Sequence, residues 1–298
     1  MRTFRFRGAL VALAVLTLVA AACSEEPTTS SPGATGSGSE SPAEQDLLAR
    51  IQEEGVIRVA TDQKYKPQSW YDKAGEWKGF DVEVAQEVAA RLGVEAEIVH
   101  MEWDLVTAGS WNDRWDMNVG SMTVTEERAT LFSFAPAYYY TPASVAVHAD
   151  NTSIVDTETD LDGKKVCVGS STTYELYLLR TLNIPGYTFD YVIDDPEVIT
   201  YATDTDALDN LALGDGARCD AAITATPTIQ QYINDGGSVK NVGDPLYGEP
   251  LAIAFDAASP IDNASLVEAV SQIIEDMHAD GTLSNLSIKW YGEDITQA

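Results

Sequence analysis

Apolar residues in the first part of the chain run together rather than alternate. Residues 8–22 read GALVALAVLTLVAAA, interrupted only by Thr17. The run falls short of the about 20 apolar residues that a membrane-spanning helix needs. Behind Arg2, Arg5 and Arg7 it fits the core of a signal peptide, which assigns residues 1–22. The pattern then inverts. Residues 24–45 are almost entirely Ser, Thr, Gly, Pro, Ala and Glu. They hold too little apolar surface to offset the entropy of ordering, so 23–45 are expected to be a flexible tether.

Beyond the tether the periodicity alternates between two templates. Residues 56–61 (VIRVAT) read as a buried strand. Residues 81–92 carry apolar side chains at 82, 84, 85, 88, 89 and 92, a helical face closed by Gly93. Residues 95–100 (EAEIVH) alternate as a strand does, and 117–119 form the centre of another. This βαβ order predicts an α/β fold with a mainly parallel sheet. It restarts after residue 160, with a strand at 165–169, a helix at 173–182, an extended 187–192 (YTFDYV), a helix at 205–213 and a strand at 220–224. Residues 261–291 read as two helices broken at Ala279-Asp280-Gly281-Thr282. No short-period repeat is visible. Two such units predict two lobes with a cleft between them, where α/β sheets bind ligands beyond their strand ends.

Charge and cysteines narrow the setting. The formal charge of −29 becomes −32 once the signal and its three arginines are removed. A surface this acidic repels nucleic acid and anionic headgroups as partners. Ala20-Ala21-Ala22-Cys23 resembles a bacterial lipobox, departing at Ala20, where Leu or Val is usual; lipidation of Cys23 is expected. The plainer alternative is an ordinary secretory cleavage site beside an incidental cysteine. Cys167 and Cys219 remain. Their strands follow one another through crossovers, so a disulfide is expected, the alternative being two buried thiols. His100, His148 and His278 are scattered without ligand spacing, and no metal or cofactor is implied.

Six segments occur in a telling order: VIRVATDQKYKP (56–67), GFDVEVAQEVAARLG (79–93), WDMNVGSMTVTEER (115–128), FAPAYYY (134–140), LDGKKVCVGSSTTYE (161–175) and MHADGTLSNLSIKWYG (277–292). Together they resemble the polar amino-acid family of periplasmic solute-binding proteins, the receptors of ABC importers. The resemblance implies a two-lobed type II periplasmic-binding-protein fold. Lobe one would be 46–143 with 250–298, lobe two 146–246, and two hinge strands would join them. It further implies an extracytoplasmic, lipid-anchored monomer that closes on a small zwitterion or carboxylate and hands it to permease and ATPase subunits.

The resemblance also distributes roles. Arg128 is expected to pair with a ligand carboxylate, since a planar guanidinium offers two parallel N–H donors. Gly120, Ser121 and Thr123 would complete that shell. The bland reading makes Thr125 a helix cap and leaves Arg128 on a solvated face. Across the cleft, Thr172 and Thr173 stand at a helix N-terminus and would serve the same carboxylate, or simply cap. Tyr65 and Trp103 are expected to shape the side-chain pocket, whereas Trp115 reads as core. Asp62 would hold a ligand ammonium or fix a turn.

One position departs. The family usually places an Asp for the α-ammonium where Asp220–Pro227 reads DAAITATP, so that position is Ala225. Either another acid such as Asp62 or Glu102 replaces it, or Thr224 and Thr226 supply neutral acceptors, or the ligand lacks a free ammonium. In the last case Tyr65 and Trp103 could form part of an aromatic cage. Two rival functions stay open: a dehydratase of cyclic carboxylic acids on the same fold, for which no Ser/His/Asp or Cys/His constellation is evident, and a sensing subunit for a membrane receptor.

Overall fold

The computed structural model describes residues 46–297; the expected signal peptide, Cys23 and the tether lie outside the described residues. Helix α1 (Leu47–Glu54) is capped by the Asp46 side chain, which accepts the Ala49 N–H. Strand β1 (Val56–Thr61) leads to a small antiparallel sheet of β2 (Lys64–Tyr65), β3 (Ser69–Tyr71) and β4 (Trp77–Lys78). Then come α2 (Phe80–Leu92), β5 (Glu95–His100), the short α3 (Trp103–Thr107) and β6 (Met117–Thr123). The long β7 (Phe132–His148) carries the chain into a second unit of β8 (Lys165–Gly169), α4 (Thr173–Leu178), β9 (Glu197–Tyr201), α5 (Asp204–Leu211), β10 (Ala221–Ala225) and α6 (Thr226–Asn234). Strand β11 (Val239–Asp256) returns it, and α7 (Ala264–Ala279) and α8 (Thr282–Tyr291) follow.

Eight strands form one hydrogen-bonded sheet in the order β5-β1-β6-β11-β7-β10-β8-β9. Strand β1 lies parallel to β5 and β6, and β8 lies parallel to β9 and β10. Strands β7 and β11 run antiparallel to their neighbours. Each half therefore has its second strand outermost, its first next, its third inside, and one long antiparallel strand beyond. The shared order is a structural repeat that sequence similarity does not display. The long strands have 17 and 18 residues, against about 5–6 for a usual strand, because each serves both halves. Between Val242 and Tyr247 their pairing loses register, which places the irregularity where the chain passes from one half to the other.

Apolar burial divides in the same way. Ile57, Val59, Phe80, Val84 and Val88 pack with Ile253, Leu266 and Ile274 in one core. Val145, Val147, Val166, Val168, Tyr177 and Ile223 make another. Trp115 is buried beside Trp111 and Phe132, a core residue as expected.

Three expected elements shift. Residues 187–192, expected to be extended, join no strand; the edge strand is β9, at 197–201, where no element was expected. The aromatics of 187–192 pack on other rings, with Tyr191 5.1 Å from Tyr177 and Phe189 5.4 Å from Tyr247 between ring centroids. Helix α4 stops at Leu178, and Arg180 just beyond is left-handed. Helix α5 begins at Asp204 because Thr203 caps it, accepting the Asp206 N–H.

The parallel pairing of Ala221 with Val166 and of Ala222 with Cys167 draws Cys219 to Cys167. The disulfide is formed, with Cα atoms 5.9 Å apart and a sequence separation of 52. Closing a loop of that length restricts the unfolded chain. Cys167→Ser/Cys219→Ser is expected to lower unfolding free energy by about 2–4 kcal/mol. Denaturant unfolding with and without reductant checks this; an unchanged midpoint would mean the bond is not formed in solution.

Candidate functional site

The segments at and beyond the C-terminal ends of β1, β5, β6, β8 and β9 converge on one cavity. One half supplies Asp62, Tyr65, Trp103, Gly120, Ser121, Thr123 and Arg128, the other Gly169, Thr172, Thr173, Tyr174 and Asp204, and β11 supplies Glu249. The cavity has a volume of about 40 Å³, room for more than the single water that about 10–15 Å³ would hold. The halves are shut upon one another. Arg128 Nη2 and Trp103 Nε1 both donate to the Ser171 carbonyl, at 2.9 and 3.2 Å. Ser170 Oγ meets Asp104 at 3.1 Å, and Lys66 pairs with Asp235 at 2.7 Å. The backbone at Ser171 is left-handed, at φ 58°, an uncommon state for a residue with a Cβ.

Arg128 is buried rather than solvated. It lies in a short 3-10 turn instead of a full helix, with its N–H capped by Thr125 Oγ1 at 3.1 Å. Nη1 donates to the Thr123 carbonyl at 3.1 Å, and the guanidinium carbon sits 5.4 Å from the Trp103 ring centroid. These bonds fix its plane while occupying only two of the five N–H donors that a guanidinium has. Desolvation pulls its pKa down to about 10, opposed by the nearby Glu249 charge, so it stays protonated at neutral pH. Trp103 thus stacks on the protein's own cation, which uses the face an aromatic cage would offer a ligand.

Ser121 lines the cavity, but its polar atoms are already engaged. Its N–H donates to Tyr138 Oη at 3.1 Å, and its hydroxyl donates to Asp81 at 2.7 Å and contacts Tyr139 Oη. The expected anion shell therefore receives neither group. Asp81 is wholly buried; desolvation raises it to about 7 despite the Ser121 and Tyr138 hydrogen bonds. Thr172 behaves as a cap, with its hydroxyl donating to the Gly169 carbonyl and accepting the Glu175 N–H. Asp62 lines the cavity and also accepts the Lys64 N–H at 2.7 Å, so it fixes the turn; burial raises its pKa.

Two acids missed by the sequence reading dominate the electrostatics. Asp204 lines the cavity with its side chain nearly buried. Its Oδ1 accepts the Gly169 N–H at 3.2 Å, and a Cβ on Gly169 would fall 2.7 Å from that oxygen. Desolvation first, then the charge of Asp62, raises Asp204 to about 7. Glu249 accepts the hydroxyls of Thr123, at 2.6 Å, and of Thr173 on the opposite side. Those hydroxyls, expected to serve a ligand carboxylate, serve the protein's own instead. Burial raises Glu249 as well, with the two threonines and Arg128 pulling against it.

The position emptied of its acid, Ala225, is sealed at the start of α6 and does not reach the cavity. Thr224 does not line it either; it is buried behind Asp204, where its hydroxyl favours the ionised carboxyl without a well-formed hydrogen bond. Thr226 bonds to Ser144 and the Pro142 carbonyl, and the Glu102 side chain is exposed near His100. Of the acids named for the role, Asp62 lines the cavity and Glu102 does not; Asp204 and Glu249 line it as well. No local signal marked Asp204: Thr-Asp pairs stand at 61–62, 159–160, 203–204 and 205–206 alike.

A profile of the bacterial extracellular solute-binding proteins, family 3, matches residues 57–293. The L-cystine-binding protein TcyJ of Escherichia coli (strain K12) is 31% identical over 258 residues, covering 86% of this chain and 90% of TcyJ. Among solved structures, the P235GK mutant of ArgBP from T. maritima superposes with a TM-score of 0.71 at 26% identity, over 83% of this chain and 99% of that one. An ancestral amino acid-binding protein, AncCDT-1, described as a precursor of cyclohexadienyl dehydratase, gives a TM-score of 0.68 at 29% identity, over 82% and 98%.

The raised Asp204 carries a stability consequence. An unfolded Asp ionises near 3.8, whereas the folded one holds its proton up to about 7. Its contribution is fully present below about 4 and is lost as pH climbs towards 7. Asp204→Asn removes that loss. The variant is expected to exceed the ligand-free wild type by on the order of 2–4 kcal/mol at pH 8 and by little at pH 4. Urea unfolding at the two pH values measures the difference; a gain independent of pH would contradict the assignment.

Proposed function

This chain belongs to the bacterial extracellular solute-binding proteins, family 3, and we propose that it captures an amino-acid-like zwitterion for an ABC importer by closing two lobes upon it. The carrying observation is that one buried cavity holds Arg128, with N–H donors to spare, together with the acid Asp204. Arg128 receives the ligand carboxylate. Asp204, in place of the absent acid at 225, receives the ammonium. Tyr65, Trp103 and Tyr174 provide the apolar and aromatic walls.

On this reading residues 46–143 with 250–298 form one lobe and 146–246 the other, and β7 and β11 are the hinge; the separate apolar cores and the lost register near Val242 support it. Ligand contacts made from both lobes exist only in the closed state, so binding stabilises closure. Residue Cys23 is taken as the lipid anchor, with the tether giving the lobes reach to the permease and ATPase subunits. A dehydratase reading has one observation in its favour, a buried acid that holds its proton near neutrality, and turnover of a cyclic carboxylic acid is its readout.

Two measurements test the binding reading. Arg128→Ala is expected to weaken binding of an amino-acid ligand by at least about 100-fold, the scale of a lost charge-assisted pair, as read by calorimetry; unchanged affinity would remove Arg128 from the site. Pairing Asp204 with an ammonium lowers its pKa, so binding near pH 6.5 is expected to release a proton. Calorimetry in buffers of different ionisation enthalpy reads that release, which should shrink towards pH 8 as Asp204 ionises without ligand, and be lost in Asp204→Asn.

A further inference from the structure

Glu249 is the least satisfied charged group in the cavity. It is 1% exposed. Its Oε2 takes both threonine hydroxyls, while Oε1 has no hydrogen-bond partner. A buried carboxylate oxygen without a donor is destabilising and calls for an explanation. The Tyr174 hydroxyl favours the ionised carboxyl without making a well-formed hydrogen bond to it. Arg128, the cation of the cavity, makes its direct bonds to the Thr123 and Ser171 carbonyls rather than to Glu249.

The charge tally points the same way. The cavity is lined by three carboxylates, Asp62, Asp204 and Glu249, against the single guanidinium of Arg128. An ordinary zwitterion adds one charge of each sign and leaves the excess of acid unchanged. Burying that excess in a shut cleft is unfavourable unless the acids keep their protons, the direction in which burial moves all three, or the ligand brings additional positive charge. A metal ion is not the natural answer, because among the described residues no three His, Cys, Asp or Glu side chains gather closely enough to hold one. Tyr65 and Tyr174 offer aromatic walls compatible with an organic cation, the Trp103 ring being taken by Arg128.

We propose that Glu249 is a specificity-determining ligand contact, and that with Asp204 it selects a monocarboxylate bearing two separate cationic nitrogens. This rests on the binding reading above. The carboxylate goes to Arg128, one nitrogen to Asp204, and the second donates to the open Oε1 of Glu249. The assignment departs from the cystine named for the relative TcyJ. Cystine carries two carboxylates, and its second would enter a cavity that has no second cation lining it.

Calorimetry with the purified protein decides the matter through matched pairs: arginine against citrulline, lysine against norleucine, and cystine alongside. At least one dibasic amino acid is expected to bind at least about 100-fold more tightly than its neutral counterpart and more tightly than cystine. Glu249→Gln, nearly isosteric, is expected to cut that preference by at least about 10-fold, with circular dichroism confirming the fold. Equal affinity for both members of each pair, or cystine as the tightest ligand, overturns the proposal on wild type alone. A preference that survives Glu249→Gln overturns the role of Glu249. If a neutral amino acid binds tightly and Arg128→Ala abolishes it, the binding reading stands while this one falls. Binding of none of the probes, or affinity indifferent to Arg128→Ala, brings down both.

Discussion

Charge held out of water between two halves is the constraint around which this molecule is arranged. Arg128, Asp204 and Glu249 are all nearly inaccessible, and groups of this kind are tolerated only when fixed and compensated. The surroundings supply the fixing. Two backbone carbonyls and the Trp103 ring hold the guanidinium. A backbone N–H from Gly169 holds Asp204, and threonines from opposite sides hold Glu249. The compensation is incomplete: all three acids of the cavity, Asp62 at the rim included, carry raised pKa values for which desolvation is the first cause. A site left short of positive charge is suited to a ligand that brings it.

The fold makes this possible through its repeated half-sheet. In both halves the loops that follow the first and neighbouring parallel strands open onto the same face, and joining the halves through β7 and β11 turns those faces towards each other. Behind the cavity the Asp81–Ser121–Tyr138–Tyr139 network ties α2 to β6 and β7. It consumes the Ser121 hydroxyl and amide, so the β6 strand end presents shape to the cleft rather than donors. Cross-cleft bonds at Ser171, Ser170 and Lys66 then close the rim. Positioning and recognition are thereby divided between buried networks and the few groups that face the cavity.

Residue patterns alone fixed much of this. Periodicity announced the βαβ order, because a parallel strand buried on both faces and an amphipathic helix leave different apolar spacings. Asp62, Tyr65, Trp103, Thr123, Arg128 and Thr173 could be named because short segments around them hold a recognisable order along the chain, and the structure gathers them in one cavity. Where the local pattern missed the edge strand β9, tertiary packing organised the residues before it: Phe189 and Tyr191 set their rings against Tyr247 and Tyr177.

What only the tertiary structure decided concerns pairs far apart in sequence. Nothing local tells that Glu249, 126 residues from Thr123 and 76 from Thr173, takes both hydroxyls, or that Asp204 lines the cavity that Ala225 does not reach. Burial and hydrogen bonding depend on what the rest of the chain brings to a point, and electrostatics depends on both. The sequence by itself determined the elements, the two-unit plan and the guanidinium; the folded chain decided which carboxylates surround it, because only there does the distance between them exist.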